Sequence, residues 1–201
     1  MPQGPALILA STSRYRRELL LRLQLPFEVH SPNVDETPQV DERPEALAQR
    51  LAWSKARAIS AKYPTAVVIG SDQVADLDGL LIGKPGTHEA ATLQLRAMRG
   101  RSVVFQTAVA VVCAASGFAA NALVPVRVSF RQLTDREIEH YLRTEKPYDC
   151  AGSAKVETLG IALLESVESD DPTALIGLPL IRTCALLRQA GIDPLAGAAR
   201  T

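Results

Sequence analysis

Three hydroxyls, Ser11, Thr12 and Ser13, run straight into Arg14, Tyr15, Arg16 and Arg17. Capping a helix needs one such hydroxyl. Three of them, followed by guanidinium forks and the free N–H groups of a helix start, match the chemistry of phosphate. The three hydroxyls and the three arginines are therefore read together as an anion site rather than as a cap alone. A second concentration is Gly70-Ser71-Asp72-Gln73, followed by Gly83-Lys84-Pro85, which delivers an acid and a base from one segment. Asp78-Gly79 between two short apolar runs marks a two-residue hairpin that pairs Leu77 with Leu80. Counting outward sets Gln73 opposite Lys84 and leaves Asp72 one residue away, at the hairpin's open end. Gly70 and Gly83 frame this site and would let a ligand approach the backbone closely.

Lys55 recurs with Leu47, Leu51 and Ile59 at steps of four, which places it on the apolar stripe of a helix. A lysine there either snorkels or faces a cleft as a cation, and the second is the sharper reading. If Lys55 faces a cleft, Lys55→Met should leave stability unchanged or slightly higher, because an ammonium on a packed face is costly to desolvate, whereas ready unfolding with full activity would mark a snorkelling, structural lysine. Glu36 sits in Val34-Asp35-Glu36-Thr37-Pro38, a loop because proline precludes a continuing central strand. Asp149, Lys155 and Glu157 lie in a segment from Lys146 to Glu157 whose Ala151-Gly152-Ser153 centre permits close backbone approach.

The elements that must position these residues follow from pattern. Ala6 to Ala10 reads as a first strand and the leucine-rich run through Leu25 as a helix, with Phe27 to His30 a short second strand. A helix runs from about Glu45 to Lys62, and Ala66 to Ile69 is a buried strand. Thr87 to Met98 form a helix ended by Gly100. Ser102 to Val126 carries no charge, but Ser116-Gly117 interrupts it and β-branched residues gather on both sides. Two long strands joined by a turn explain it better than a span in lipid. Thr134-x-x-Glu137 is a capping box, Ile161 to Val167 a strand, and Pro179 and Gly191 bracket a last helix. The result is an α/β fold with a mixed sheet.

Length and composition narrow the chemistry. A chain of 201 residues, 47% of them hydrophobic, suits one large domain over 1–201 or two lobes around a cleft. Lys+Arg and Asp+Glu both number 22, so no net field draws the chain to a nucleic acid polymer or an anionic membrane. An anionic ligand must be held locally, which favours a small molecule. Cys113, Cys150 and Cys184 are far apart and fit reduced thiols, and His30, His88 and His140 lack metal-ligand spacing. The opening residues lack a basic region and a long apolar core, so a soluble, cytoplasmic protein is expected.

Seven pieces, in order, resemble the Maf family of nucleotide pyrophosphatases: Ala10-Ser11-Thr12-Ser13-x-x-Arg16-Arg17, Val34 to Pro38, Leu51-Ala52-x-x-Lys55-Ala56, Gly70-Ser71-Asp72-Gln73, Gly83-Lys84-Pro85, Asp149-x-Ala151-Gly152 and Gly177-Leu178-Pro179-Leu180. The resemblance implies a mixed twisted sheet with flanking helices and two lobes around a central cleft. It further implies hydrolysis of a nucleoside triphosphate to monophosphate and pyrophosphate, a divalent cation (Mg2+, Mn2+ or Co2+) and a homodimer. Asp72 matches the family's proton acceptor, acting with Lys55 and Lys84. Ser11, Ser13 and Arg16 match phosphate-binding positions. Glu36, with Asp72, matches a metal-linked acid.

Within the family, Gln73, Cys150 and Glu157, together with Tyr15, resemble the branch that hydrolyses 7-methyl-GTP. The chemistry agrees, since N7-methylated guanine is cationic and suits an aromatic face, while a carboxylate can accept its N1–H and N2–H groups. The alternatives are a pyrophosphatase for dTTP, UTP or modified pyrimidine nucleotides and, in another class, a non-catalytic regulator of septum formation. Thr107-Ala108 departs from the Thr-Gly frequent in the family, and a methyl there would narrow the pocket or constrain the backbone.

Overall fold

The computed structural model describes residues 5–196, so the first four residues of the opening stretch read above for a leader lie outside the described residues. A seven-stranded sheet runs β2-β1-β3-β5-β6-β7, with β4 added to β3. The strands are β1 (Leu7–Ala10), β2 (Glu28–His30), β3 (Val67–Leu77), β4 (Leu80–Ile82), β5 (Ser102–Cys113), β6 (Phe118–Phe130) and β7 (Leu164–Glu168). Among the described residues five α-helices flank it: α1 (Arg14–Leu21), α2 (Pro44–Ser60), α3 (His88–Met98), α4 (Asp135–Glu145) and α5 (Leu180–Gln189). β1 pairs in parallel with β2 and β3, and every other pairing is antiparallel. The mixed α/β sheet expected from the pattern is thus present. Among the described residues no helix is long and apolar enough to cross a membrane.

Strand alternation sorts the helices. Leu7, Leu9, Val67 and Ile69 pack with Leu19 and Leu20 of α1 and Leu186 and Leu187 of α5. Ile8, Ala10 and Val68 pack with Leu47, Leu51, Ala56 and Ile59 of α2 on the opposite face. Gly70 is required by that second face. A Cβ there would lie 2.3 Å from Ala52 O and 2.6 Å from Ala56 N, so the glycine brings α2 close to β3 rather than opening the backbone to a ligand as the sequence implied.

A third cluster gathers Ala75, Leu77, Phe105, Val126 and Phe130 with α3 and α4. β3, β5 and β6 are long enough to serve both ends of the molecule, 11, 12 and 13 residues respectively. Their near ends belong to the clusters around α1, α2 and α5, and their far ends to the cluster around α3 and α4. Asp72 lies where β3 passes from one to the other.

The hairpin forms with the expected register, Leu77 opposite Leu80, but it stops at Ala75–Ile82. Gln73 pairs with Thr107 of β5, and Lys84 lies beyond β4. On its other side β1 leaves β3 at Gly70, so between Gly70 and Ala75 one edge of β3 is without a neighbouring strand. Two other elements depart from expectation. α1 ends at Leu21 rather than Leu25, and the segment expected as a strand from Ile161 begins as a 3-10 turn, Leu159–Leu163. Gly160 lies against the backbone of Lys155, where a Cβ would be 2.4 Å from Lys155 O, and that close approach holds the turn.

Candidate active site

Outside the carboxyl end of β1, beside the open edge of β3, lies a cleft of about 880 Å³. This is where ligands bind in open α/β sheets whose strand order reverses at a central strand. Ser11, Ser13, Tyr15, Arg16, Glu36, Lys55, Asp72, Gln73, Lys84 and Glu157 all line it.

Ser13 is the N-cap of α1 and accepts from Arg16 N at 3.4 Å, and Ser11 Oγ in turn accepts from Ser13 N at 3.1 Å. Capping is therefore real. Arg16 is held by its Nε, which donates to Gly177 O at 2.9 Å, leaving the rest of its guanidinium toward the cleft, with Nη2 3.9 Å from Asp72 Oδ1.

Alternation along β3 gives neighbouring residues different tasks. Asp72 points to the α2 face, where Lys55 Nζ donates to its Oδ1 at 2.6 Å. The same ammonium lies 2.7 Å from Glu36 Oε1, so one lysine bridges two carboxylates. Lys55 is buried to 4% exposure and is a cleft-facing cation, not a snorkelling one. Burial raises the pKa of Glu36, but the Lys55 hydrogen bond and the charges of Lys55, Lys84 and Arg16 together hold it below the ordinary carboxylate value. No hydrogen bond engages Asp72 Oδ2 among the described residues, and that atom is not sealed from solvent.

Ser71 and Gln73 point to the opposite face. Ser71 Oγ is near Ala108 O at 2.8 Å and Gly177 O at 2.9 Å, and Gln73 Nε2 donates to Thr107 Oγ1, Ala174 O and Leu175 O at 2.9 to 3.0 Å. The Gln73 amide nitrogen, expected to help choose the base, instead anchors the 174–177 segment that holds Arg16. Ala108 is buried opposite Asp72 among the residues packed on α2 and does not line the cleft.

Farther along the cleft, Tyr15 Oη accepts from Arg14 Nη2 at 2.6 Å and donates toward Asp149 at 3.4 Å. Burial first, then the Cys150 thiol, pushes the Tyr15 pKa well up, so the ring stays a neutral phenol. Burial likewise pushes the Cys150 thiol up to about 11, which keeps it an unreactive wall. Glu157 stands at the cleft rim, and desolvation raises its pKa above the ordinary value. No other residue's hydrogen bond reaches its carboxylate among the described residues, so it retains acceptors for a ligand. Sequence reasoning noted Arg14 only as one of three arginines; its contact with Asp149 spans 135 positions and leaves no local signal.

The carboxylates of Asp72 and Glu36 converge on one cation, which is the donor chemistry a hard divalent ion uses when one or two carboxylates and substrate phosphates complete its shell. No cluster of three His, Cys, Asp or Glu that could hold a metal without a substrate is present among the described residues.

The family model for Maf-like protein matches residues 6–190. The chain belongs to the Maf-like family. It is 68% identical over 191 residues to the 7-methyl-GTP pyrophosphatase of Polaromonas sp. (strain JS666 / ATCC BAA-500), covering 95% of this chain and 87% of that protein. It is 64% identical over 189 residues to the protein of the same name from Albidiferax ferrireducens, covering 94% and 95%. The one from Nitrosococcus oceani is 54% identical over 194 residues, covering 96% and 98%. The Maf-like chain thus keeps the seven motif pieces within a match that spans nearly all of it.

Proposed function

We propose that this chain, as one domain over 1–201, hydrolyses 7-methyl-GTP to 7-methyl-GMP and pyrophosphate. The observation that carries the reading is one cleft lined by two chemically distinct groups: Lys55 bridging Asp72 and Glu36, and the Tyr15 ring with Glu157, an acceptor that no other residue bonds among the described residues. Relatives named for 7-methyl-GTP support the same substrate.

The triphosphate lies against Ser11, Ser13 and Arg16, with Lys84 and Lys55 neutralising charge that grows on the phosphoryl oxygens. Asp72 Oδ1 is fixed by Lys55, and Oδ2 takes the proton of a water. The water oxygen bonds to the α-phosphorus, the bond from that phosphorus to the α–β bridging oxygen breaks, and pyrophosphate leaves with the electron pair. General-base action of this kind contributes about 10²–10⁴-fold. Glu36 and Asp72 are the residues that would hold a divalent cation (Mg2+, Mn2+ or Co2+), which when bound supplies positive charge to the phosphate oxygens. At the base, Tyr15 offers an aromatic face and Glu157 accepts N1–H and N2–H. The protein works as a cytoplasmic homodimer, a state that sedimentation of the purified chain would check.

The test is pyrophosphate release across 7-methyl-GTP, GTP, dTTP and UTP with each metal. A higher kcat/KM for 7-methyl-GTP is expected. Preference for dTTP or UTP would move the assignment to the pyrimidine branch, and no release from any nucleotide would leave the regulatory reading.

A further inference from the structure

Tyr15 does not present a bare ring. The guanidinium of Arg14 lies over it, 4.7 Å from the ring centroid, while its Nη2 bonds the Tyr15 hydroxyl at 2.6 Å. The same Nη2 stands 3.7 Å from Asp149 Oδ2. A cation therefore already stands over one face of this ring inside the cleft that both residues line, with a carboxylate beside it to receive that cation if it moves. We propose that Arg14 is a displaceable cover on Tyr15 and tunes selectivity by competing with the methylated base for the ring. The inference rests on the 7-methyl-GTP reading above.

The physics is that of two positive groups and one quadrupole. A ring face accommodates one cation, so any base stacking there must move Arg14 aside. A neutral guanine meets only that displacement. A methylated guanine meets it and, in addition, repulsion from the guanidinium that remains nearby, partly offset by Asp149. Removing Arg14 should therefore help both bases, and the cationic one more. Exposed cation–π contacts set the size of the effect at about two- to fivefold. The side chain of Arg14 is 63% exposed, so its truncation does not disturb packing.

The experiment uses nucleosides, which carry no phosphate. Dissociation constants of 7-methylguanosine and guanosine are measured for the wild-type protein, Arg14→Ala, Tyr15→Leu and the double variant. Arg14→Ala should tighten 7-methylguanosine about two- to fivefold and guanosine less, and the gain should vanish when Tyr15 is already leucine. Unchanged or weaker 7-methylguanosine binding in Arg14→Ala overturns the proposal, as does a gain that persists without Tyr15. If Arg14→Ala spares the nucleosides but weakens 7-methyl-GTP, Arg14 is a phosphate ligand and no cover. Failure of the underlying substrate reading looks different: the wild type would not prefer 7-methylguanosine to guanosine and Tyr15→Leu would leave their ratio unmoved, and the cover would fall with it.

Discussion

Asp72, Lys55 and Glu36 form an ion triad in which removing one member has a different meaning for each. Asp72→Asn keeps the shape and a hydrogen-bond acceptor for Lys55 while deleting the basic oxygen. Turnover should fall by at least two orders of magnitude with the nucleotide still bound, a loss read in kcat and not in KM. Wild-type turnover in that variant would remove Asp72 from the mechanism. For Lys55 the triad reverses the expectation drawn from the apolar stripe. Lys55→Met leaves a buried Asp72 with only the more distant Arg16 for a cation, and breaking a buried pair typically destabilises by about 3–5 kcal/mol, an upper bound here. Urea unfolding should show the loss, and Lys55→Met with Asp72→Asn should recover most of it. Glu157 acts on the base. Glu157→Gln puts an amide donor against guanine's own donors and should lower kcat/KM for 7-methyl-GTP by about ten- to a hundredfold, with much less effect on dTTP. Its raised pKa adds a pH signature. As pH falls, Glu157 is protonated before an ordinary glutamate would be, so the 7-methyl-GTP to dTTP ratio should decline from the alkaline side of that usual value. The Glu157→Gln profile should lack this step.

At the scale of elements, the packing of α2 on β3 decides where the Lys55–Asp72 contact falls. Gly70→Ala would force a Cβ into Ala52 O and Ala56 N, both backbone atoms that cannot rotate away. Such overpacking costs about 1–3 kcal/mol and would push Lys55 from Asp72, so a lower urea midpoint and a lower kcat should appear together. A loss of stability with kcat intact would show that the triad tolerates the shift. This scale also shows what sequence could and could not convey. The Thr134 capping box, the Leu77–Leu80 turn and the long β5–β6 hairpin are local patterns, and each is found where the residues place it. All ten residues expected at the site line one cleft, and most were legible because they belong to short motifs with their own chemistry. The partner of Gln73 was not. A period of two says which face a strand residue takes, but not that a carbonyl a hundred positions away waits there. Lys84 shows the converse failure: turn chemistry fixes the start of a hairpin's register and says nothing about where pairing ends.

Across the whole molecule, stability should follow the carboxylates. Glu145 is held below the ordinary value of 4.5 chiefly by Lys155, and Glu36 by Lys55 once its burial is overcome. Their stabilisation is present above the unfolded value and is lost as pH falls through the lower folded ones. Glu157 runs the other way: its stabilisation is greatest when protonated and is lost as pH rises through its elevated folded pKa. A urea midpoint measured against pH should therefore drop steeply only below the ordinary carboxylate range, with a shallow opposing slope above it that Glu157→Gln abolishes.

The short β4 has a consequence of its own. Had the hairpin zipped to Gln73 and Lys84, its second strand would lie along the edge of β3 that β1 vacates at Gly70. Instead four residues, Ser71 to Val74, keep one side open, a window of roughly 13 Å at about 3.3 Å per residue. The cleft is in this sense a missing length of ladder. Backbone amides in the window that do not point to β5 should exchange with solvent deuterium faster than those of the paired flanks. A nucleotide lying there should slow that exchange, tracing the footprint of the ligand amide by amide.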